Sequence, residues 1–387
     1  MMTSILALNG GSSSIRFAIY DAAADLARIV SGRIERIGMP GSRLVVNRPD
    51  SPPETRDIRS SERADAIRVL LEWLDGQPEF ASLQAVGHRV VHGMSHSKPE
   101  LITPELIDEL RGIIPYDPEH LPLELELIDA FRERHSVPQV ACFDTAFHAQ
   151  MPRVAKLLPI PRRYEAKGVT RYGFHGISYA YLMEELARLG DPAAAKGRVV
   201  LAHLGNGASL AAVKGGQSVD TSMSFTPNSG FPMSTRSGDL DPGIASYLER
   251  AEGVAPAKFQ QMVTHESGLL GVSEISSDMR DLLEQPDDPR AREAVDLFCY
   301  QVKKWVGAFA AALGGLDCLV FAGGIGENAP AVRARICKGL DFLGIQLSPH
   351  ANDENGQVIS TGSTTVRVIR TNEELMIARS VSRVLGQ

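Results

Sequence analysis

The chain has 387 residues, with 40 Lys and Arg against 47 Asp and Glu, and therefore a formal charge of −7. At roughly 150 residues per domain this length allows two or three domains, and it excludes a small scaffold that depends on disulfide bonds. The negative charge leaves no general basic surface for a polyanion, so nucleic-acid binding is not expected. The four cysteines lack a CxxC pair and the first residues lack the features of a secretory signal, so we expect a reducing, cytoplasmic location.

Two similar hairpin patterns divide the chain into halves. Residues 4–21 read as an apolar run, a Gly/Ser-rich turn and an alternating run, which predicts a β-hairpin. Residues 198–213 repeat this order, and Gly10 and Gly205 are 195 positions apart. This spacing, about half the chain, indicates an ancient duplication of one structural unit.

The remaining pattern alternates between helices and strands. In chain order it predicts helices over 63–74, 104–113, 123–134, 178–189, 291–313 and 329–340, and strands over 83–91, 139–143, 316–321 and 365–369. Residues 38–59, rich in proline and charge, predict a loop or a hairpin excursion. The apolar stretch 305–326 is interrupted by two glycines, which favours a helix end, a turn and a buried strand over a membrane span. The alternation predicts α/β layers.

Four turns rich in glycine or hydroxyl residues are candidates for phosphate binding: 9–14, 203–207, 225–242 and 323–328. For any one of them, an ordinary tight turn is the better interpretation. Three of the four directly follow apolar runs, the position where α/β proteins bind ligands, so together they favour a nucleotide site. The turn at 323 also fits the GxGxxA pattern of dinucleotide-binding proteins, but about sixty residues follow it. An NAD-dependent dehydrogenase is therefore the weaker hypothesis.

Several charged residues have both a structural and a catalytic interpretation. Arg89 ends an apolar strand and is either a surface arginine or a ligand for an anion, while Asp144 either caps a helix or serves as a catalytic carboxylate. His175 lies between two glycines, where loop geometry would hold it, so a functional role is favoured. Arg236 fits a salt bridge or a phosphate contact. Glu373 fits a helix N-terminus or a metal ligand.

Nine motifs, taken together and in order, resemble the acetate kinase family, within the actin, hexokinase and Hsp70 superfamily. They are LNGGSSSIRF, GHRVVHG, CFDTAFH, RYGFHG, LAHLGNGAS, FTP with STRSGDLDPG, SSDMR, FAGGIGEN and TNEELMIAR. The resemblance implies a two-lobed, duplicated actin-like (ribonuclease H-like) α/β ATPase fold, with mixed sheets flanked by helices. It implies an N-terminal lobe of 1–146 plus 374–387, on the acyl substrate and dimer side, and a nucleotide-binding C-terminal lobe of 147–373.

The resemblance also implies a reaction. The family transfers a phosphoryl group reversibly between ATP and acetate, giving acetyl phosphate and ADP by direct in-line transfer. It uses Mg²⁺, for which Mn²⁺ can substitute, works as a homodimer in the cytoplasm and contributes to acetyl-CoA biosynthesis. A propionate (short-chain carboxylate) kinase of the same family is the nearest alternative. A non-enzymatic nucleotide-gated module of the superfamily is more distant, and no membrane partner is expected.

By resemblance, functional residues are expected at the following positions. The catalytic residues are Asp144, His175 and Arg236. The substrate-binding residues are Arg89, Val91, His120, Phe174 and Pro227. The metal-positioning residues are Asn9 and Glu373. The nucleotide-binding residues are Ser12, Arg16, His203, Leu204, Gly205, Asn206, Gly207, Asp278, Met279, Arg280, Gly323, Gly324, Ile325, Gly326, Glu327 and Asn328.

The chain departs from the family pattern at a few of these motifs. Arg16 stands where the family more often has lysine, and Tyr179 and Ile177 replace the second histidine and the threonine of the HGxSH turn. Glu119 stands where an apolar residue would help enclose the acetate methyl group. These changes bear on the acyl substrate more than on the reaction. We expect a locally positive cleft formed by Arg89, Arg171, Arg236 and Arg280.

Overall fold

A computed structural model describes residues 3–11, 13–59 and 62–386. The chain divides into two compact units. The first contains the residues up to Phe147, the short segment Gly176–Ser178 and the C-terminal segment from Asn372. The second contains His148–His175 and Tyr179–Thr371. Phe147, the segment Gly176–Ser178 and Glu373, all expected in the C-terminal lobe, belong to the first unit.

The first unit is built on an eight-stranded mixed sheet of order β5-β4-β3-β2-β1-β6-β8-β7. Its strands are β1 (Ser4–Gly10), β2 (Ser14–Asp21), β3 (Ala27–Glu35), β4 (Arg43–Asn47), β5 (Glu54–Asp57), β6 (Leu83–Val90), β7 (Glu100–Leu101) and β8 (Gln139–Phe143). Its helices are α1 (Arg63–Asp75), α2 (Pro104–Gly112) and α3 (Leu121–Arg134), with short 3₁₀ turns at Phe80–Ser82 and Ile114–Tyr116.

The second unit is built on a five-stranded mixed sheet of order β11-β10-β9-β12-β13. A 3₁₀ turn at Ala146–His148 lies at the boundary, and helices α4 (Arg153–Lys156), α5 (Arg162–Glu165), α6 (Gly176–Arg188) and α7 (Ala193–Lys196) follow it. The strands are β9 (Arg198–Leu204), β10 (Ala208–Lys214), β11 (Gln217–Thr221), β12 (Cys318–Ala322) and β13 (Thr365–Val368). The remaining helices are α8 (Gly243–Glu252), α9 (Pro256–His265), α10 (Gly268–Ser273), α11 (Met279–Leu283), α12 (Pro289–Leu313), α13 (Gly323–Asn328), α14 (Pro330–Cys337), a 3₁₀ turn at Asp341–Leu343, and α15 (Pro349–Asp353).

The last helix, α16 (Glu373–Leu385), belongs to the first unit and packs on its sheet. Glycine at position 87 in β6 allows this contact, because a Cβ atom there would lie 2.4 Å from Cγ2 of Ile377. The apolar face of α16 (Met376, Ile377, Ala378 and Val381) is buried. The strand β1 is also buried along its whole length, as expected for a strand with covered faces.

The two sheets share one topology, which agrees with the duplication inferred from the sequence. In the first, β3, β2 and β1 are successively antiparallel, and β6 and β8 continue in parallel. In the second, β11, β10 and β9 are successively antiparallel, and β12 and β13 continue in parallel. The α/β class with mixed sheets is confirmed. The first sheet adds β4 and β5 at one edge and β7 at the other.

The local predictions differ from the structure at several elements. The expected turn at 323–328 is wrong, since these residues form the helix α13. The strand expected from Leu316 begins at Cys318, and the excursion at 38–59 contains the hairpin β4–β5. The pattern did not predict β3 or the helices between 243 and 283. Across 3–11, 13–59 and 62–386, no helix is long and apolar enough to cross a bilayer.

Candidate active site in two parts

Arg89 and Asp144 form a buried ion pair in the first unit. Arg89 lies in β6 and Asp144 directly follows the neighbouring parallel strand β8, so both meet at the same sheet edge. Both Nε and Nη2 of Arg89 donate to Oδ2 of Asp144, at 3.0 and 2.5 Å. The aspartate side chain is completely buried and the arginine is 16% exposed. The geometry therefore identifies Asp144 as the partner that orients the Arg89 guanidinium.

The pKa values of this pair reflect burial among several acids. Burial alone lowers the pKa of Arg89, but the carboxylates of Asp144, Glu373 and Glu124 raise it overall, so the guanidinium stays charged. Burial raises the pKa of Asp144, and Arg89 opposes this effect. Arg89 thus lowers the pKa of both Asp144 and Glu124, against the effect of their burial.

Asn9 connects Arg89 to the start of α16. Its Oδ1 accepts a hydrogen bond from Nη1 of Arg89 at 3.4 Å, and its Nδ2 donates to Oε2 of Glu373 at 2.7 Å and to Oε1 of Glu374 at 3.4 Å. Burial and the Glu373 carboxylate raise the pKa of Glu374, while Arg16, which is exposed, lowers it. The two expected metal-positioning residues, Asn9 and Glu373, are therefore in direct contact.

This corner fits a magnesium ion. Carboxylate and amide oxygens are the hard ligands that Mg²⁺ prefers, and Mg²⁺ usually takes one or two carboxylates together with substrate oxygens. The mutual repulsion of Glu373 and Glu374 favours a nearby positive charge. Among the described residues no group of three or more His, Cys, Asp or Glu side chains could hold a metal by itself. A cation here would complete its coordination with oxygens of water or of the substrate.

A second buried acid, Glu124, was not anticipated from the sequence. Both of its carboxylate oxygens accept the backbone N–H of Val91, at 3.0 and 3.1 Å. Burial raises its pKa to about 8, against the opposing effect of Arg89. It was detectable in principle, because it lies on the apolar face of α3 beside Leu121 and Leu125. The predicted substrate residue His120 contacts Asp117 at 2.7 Å.

The second unit brings His175, Arg236 and Gly207 together. A Cβ atom built on Gly207 would lie 3.3 Å from Nε2 of His175 and 3.5 Å from Nη1 of Arg236. Nη1 also donates to the Pro227 carbonyl at 3.2 Å. The imidazole of His175 stacks on that of His203, with ring centroids 4.5 Å apart. A cation and an imidazole nitrogen therefore face a glycine backbone, an arrangement suited to phosphate oxygens.

The GGIGEN helix α13 is held by groups at both of its ends. Oε1 of Glu327 accepts the N–H of Gly323 at 2.9 Å and the N–H of Thr371 at 3.1 Å. The guanidinium of Arg333, completely buried, donates to the carbonyls of Gly326 and Glu327 at 2.9 and 3.2 Å. Glu327, predicted as a nucleotide contact, thus has one oxygen engaged within the protein.

Other predicted residues have less constrained positions. Asp278 caps α11 by accepting the N–H of Arg280, and the Arg280 side chain is 84% exposed and pairs with Asp278. Phe174 is buried, and its carbonyl contacts Nε2 of His148. Ser12 lies outside the described residues. Leu204, Gly205 and Asn206 form the end and turn of the β9–β10 hairpin, and Met279, Gly324, Ile325 and Asn328 lie in α11 and α13.

Arg171, which was expected in a positive cleft, contacts the backbone of the second unit. The guanidinium of Arg171 donates to the backbone carbonyls of Ala155, Thr221 and Met223, at 3.0 to 3.3 Å. It therefore ties loops of the second unit together. Its position next to the FHG motif gave no indication of this, because carbonyl acceptors are invisible in the sequence.

Several known proteins are similar to this chain over nearly its whole length. The family model described as the acetokinase family matches residues 4–379. An acetate kinase of Rhodopseudomonas palustris is 43% identical over 98% of both chains, and a propionate kinase of Citrobacter rodentium is 43% identical over 99% of this chain and 97% of its own. The crystal structure of Porphyromonas gingivalis acetate kinase is 36% identical, with a TM-score of 0.89 over 99% of this chain and 100% of that one. The crystal structure of a propionate kinase from Francisella tularensis is 35% identical, with a TM-score of 0.91 over 98% of this chain and 99% of that one.

The fold and these matches define a kinase that phosphorylates a carboxylate. The chain belongs to the acetokinase family.

Proposed function

We propose that this chain catalyses the reversible, Mg²⁺-dependent transfer of the γ-phosphoryl group of ATP to acetate, giving acetyl phosphate and ADP. The observation that carries the proposal is the convergence of His175 Nε2 and Arg236 Nη1 on Gly207. It is supported by Arg89, a partly buried guanidinium oriented by Asp144, which is suited to a carboxylate.

Arg89 binds the acetate carboxylate in this proposal. A carboxylic acid with a pKa of about 4 to 5 is already ionised at neutral pH, so acetate needs no base to become a nucleophile. Two nitrogens of Arg89 are held by Asp144, while Nη1 reaches Asn9 at the longer distance of 3.4 Å. Asp144 therefore orients the arginine and does not remove a proton.

His175 and Arg236 stabilise the phosphoryl group during transfer. Phosphoryl transfer proceeds through a loose transition state, with charge spread over the three equatorial oxygens, so positioning and charge stabilisation account for most of the catalysis. Arg236 supplies a fixed positive charge, and His175 supplies a directional donor at Nε2. The glycine at position 207 keeps the space before them open.

Asn9 and Glu373 would hold the magnesium ion, with Glu374 close by. When bound, the ion neutralises charge on the phosphate oxygens. Glu373 contributes the carboxylate oxygens and Asn9 its side-chain carbonyl, which Arg89 orients. Binding of the nucleotide is assigned to the turns of His203–Gly207 and the segments 278–280 and 323–328.

A propionate kinase is the second candidate, because the propionate kinase and the acetate kinase above are equally similar to the chain, at 43% identity. One methylene group changes selectivity by only about 10- to 200-fold, so the two reactions are closely related. Glu119, in place of an apolar residue, is the departure most relevant to this choice.

The test is a panel of initial rates with acetate, propionate and butyrate, each with ATP or pyrophosphate as the donor. We expect acyl phosphate formation with ATP and Mg²⁺, and the highest kcat/KM with acetate. A higher kcat/KM with propionate would support the second candidate. Absence of acyl phosphate with every carboxylate would contradict both.

We further propose that the enzyme is a cytoplasmic homodimer that uses Mg²⁺ or Mn²⁺ and supplies acetyl phosphate for acetyl-CoA synthesis. Membership of the family supports this, as do four buried cysteines without disulfides. Light scattering during gel filtration gives the oligomeric state, and a mass near that of one 41.9 kDa chain would contradict the dimer.

A further inference from the structure

His175 is constrained on three sides within the second unit. Its ring face stacks on His203, its Nε2 faces Gly207, and its Nδ1 lies 2.8 Å from Oγ of Ser209. The backbone of His175 is left-handed, with φ of +59°, at the position that precedes α6. This conformation is uncommon for a residue other than glycine and indicates that the surrounding structure holds the side chain in place.

Ser209 links His175 to a second residue. The hydroxyl of Tyr179 lies 2.5 Å from the same Oγ, so one serine hydroxyl connects a phenol and an imidazole. Ser209 and Tyr179 are both completely buried. Ser209 is also paired across the β9–β10 hairpin with His203, the residue on which His175 stacks.

The helix α6 aligns the two ends of this chain of hydrogen bonds. Tyr179 is four residues after His175, and its backbone N–H donates to the His175 carbonyl at 3.0 Å, so the first turn of α6 fixes the spacing of the two residues. The edge of the Tyr179 ring also packs against His148, with centroids 5.6 Å apart. Burial lowers the pKa of His148 to about 4, so this neighbour is neutral near pH 7.

We propose that Tyr179 and Ser209 form a positioning relay that holds His175 in the tautomer with its proton on Nε2. Ser209 has a single hydroxyl proton. The phenol, a stronger acid than an aliphatic alcohol, donates to Oγ of Ser209, and Ser209 then donates to Nδ1 of His175. Since Nδ1 is an acceptor, the proton of the neutral imidazole lies on Nε2, which faces Gly207.

The relay gives Tyr179 a role in place of the histidine that the family pattern has at this position. It rests on the proposed function, because it assigns the His175 donor to the phosphoryl group. Tyr179 and Ser209 act through His175 and are therefore positioning residues. Removing either should change the turnover rate more than the binding of either substrate.

The kinetic test uses Tyr179→Phe, Ser209→Ala and the double variant, with Tyr181→Phe on the same helix as the control. We expect each single variant to lower kcat roughly tenfold, the value of one well-placed hydrogen bond. We expect KM for ATP and acetate to stay within about twofold, because substrate binding is not the step affected. The kcat of the double variant should be no lower than that of either single variant, because both changes break the same relay.

Independent, multiplying losses in the double variant would overturn the relay, as would an equal loss in Tyr181→Phe or an unchanged kcat in Tyr179→Phe. A readout without turnover is ¹⁵N NMR of the imidazoles, with the His175 signals assigned from His175→Asn. We expect an Nε2–H tautomer in the wild type and a shift toward Nδ1–H in Tyr179→Phe. If the wild type forms no acyl phosphate, the proposed function fails. An unchanged tautomer in Tyr179→Phe shows that the relay fails.

Discussion

The two units place their functional groups in different electrostatic surroundings. In the first, Arg89 is buried among Asp144, Glu373 and Glu124, and every one of these acids affects its pKa. In the second, His175 lies among an imidazole, a hydroxyl and a glycine backbone, with Arg236 beside them. Arg89 is therefore held in place by ion pairing, whereas His175 is held by ring packing and neutral hydrogen bonds.

This difference affects what a substitution can do. A buried ion pair that loses one partner leaves an uncompensated charge, so activity and stability fall together. A group held by neutral contacts can be removed at a smaller cost to the fold. Substitutions in the first unit should therefore affect both properties, whereas those around His175 and Arg236 should affect mainly the rate.

Replacement of Arg89 by methionine should have the largest effect. It leaves Asp144 buried without its cation, which should cost about 3 to 5 kcal/mol of unfolding free energy. It also removes the carboxylate ligand, so kcat/KM for acetate should fall by about 10³ or more. Urea denaturation and initial rates measure the two effects.

The double variant Arg89→Met with Asp144→Leu separates the effect on stability from the effect on kcat/KM. Without either charge, most of the lost stability should return while the activity stays low. Recovery of activity in this variant would show that Arg89 does not bind the substrate.

Replacement of Arg236 by glutamine should lower kcat by about 10² to 10³, the usual effect of removing a donor that stabilises transition-state charge. The unfolding midpoint should change little. Arg171→Gln is the matched control, because its guanidinium bonds to three carbonyls in the same unit. It should destabilise the protein and leave the kcat of the folded enzyme near the wild-type value. A large loss of kcat in Arg171→Gln, with a normal kcat in Arg236→Gln, would show that Arg171 is the catalytic arginine and Arg236 the structural one.

Glu327 tests whether the GGIGEN helix depends on a hydrogen bond or on a charge. Glu327→Gln keeps an oxygen that can accept from Gly323 and Thr371, whereas Glu327→Ala loses it. We expect KM for ATP to rise about fivefold to tenfold in the alanine variant and to change by less than about twofold in the glutamine variant. Equal losses in both variants would mean that the carboxylate charge is required.

Glu124 should give the smallest effect, a pH dependence of stability. Its pKa is about 8 in the folded protein and near 4.5 in the unfolded chain, so the folded state binds the proton more tightly. The contribution of Glu124 is therefore complete below about pH 4.5 and is lost as the pH rises toward 8. Glu124→Gln removes this titration and keeps an acceptor for Val91.

Relative to the wild type, the Gln variant should gain about 1 to 3 kcal/mol of unfolding free energy between pH 5 and pH 8. Urea denaturation at pH 5, 6.5 and 8 measures the difference. A constant difference across this range would show that Glu124 is ionised throughout.

Much of the fold follows from local sequence. The hairpins at β1–β2 and β9–β10 and the strand Gln139–Phe143 have clear apolar patterns, and the structure confirms them. The 323–328 segment was expected to be a turn because of its glycines, but Glu327 and Arg333 supply the hydrogen bonds that hold it as a helix. Glu327 also accepts from Thr371, 44 positions along the chain, and a local pattern cannot show such a partner.

The length and net charge of the chain limited the possible classes of protein. The alternation of helices and strands, the repeated hairpins and the ordered motifs then determined the α/β class, the duplication and the family. These properties depend on the type and spacing of residues that are close together in the sequence. The partners of each charge depend on tertiary contacts. Arg89 meets Asp144 across 55 positions and Asn9 meets Glu373 across 364, and only the folded sheet brings these groups together. Arg171 and Arg236 look alike in the sequence. In the structure, Arg171 donates to three backbone carbonyls, whereas Nη1 of Arg236 donates to one and lies beside Gly207.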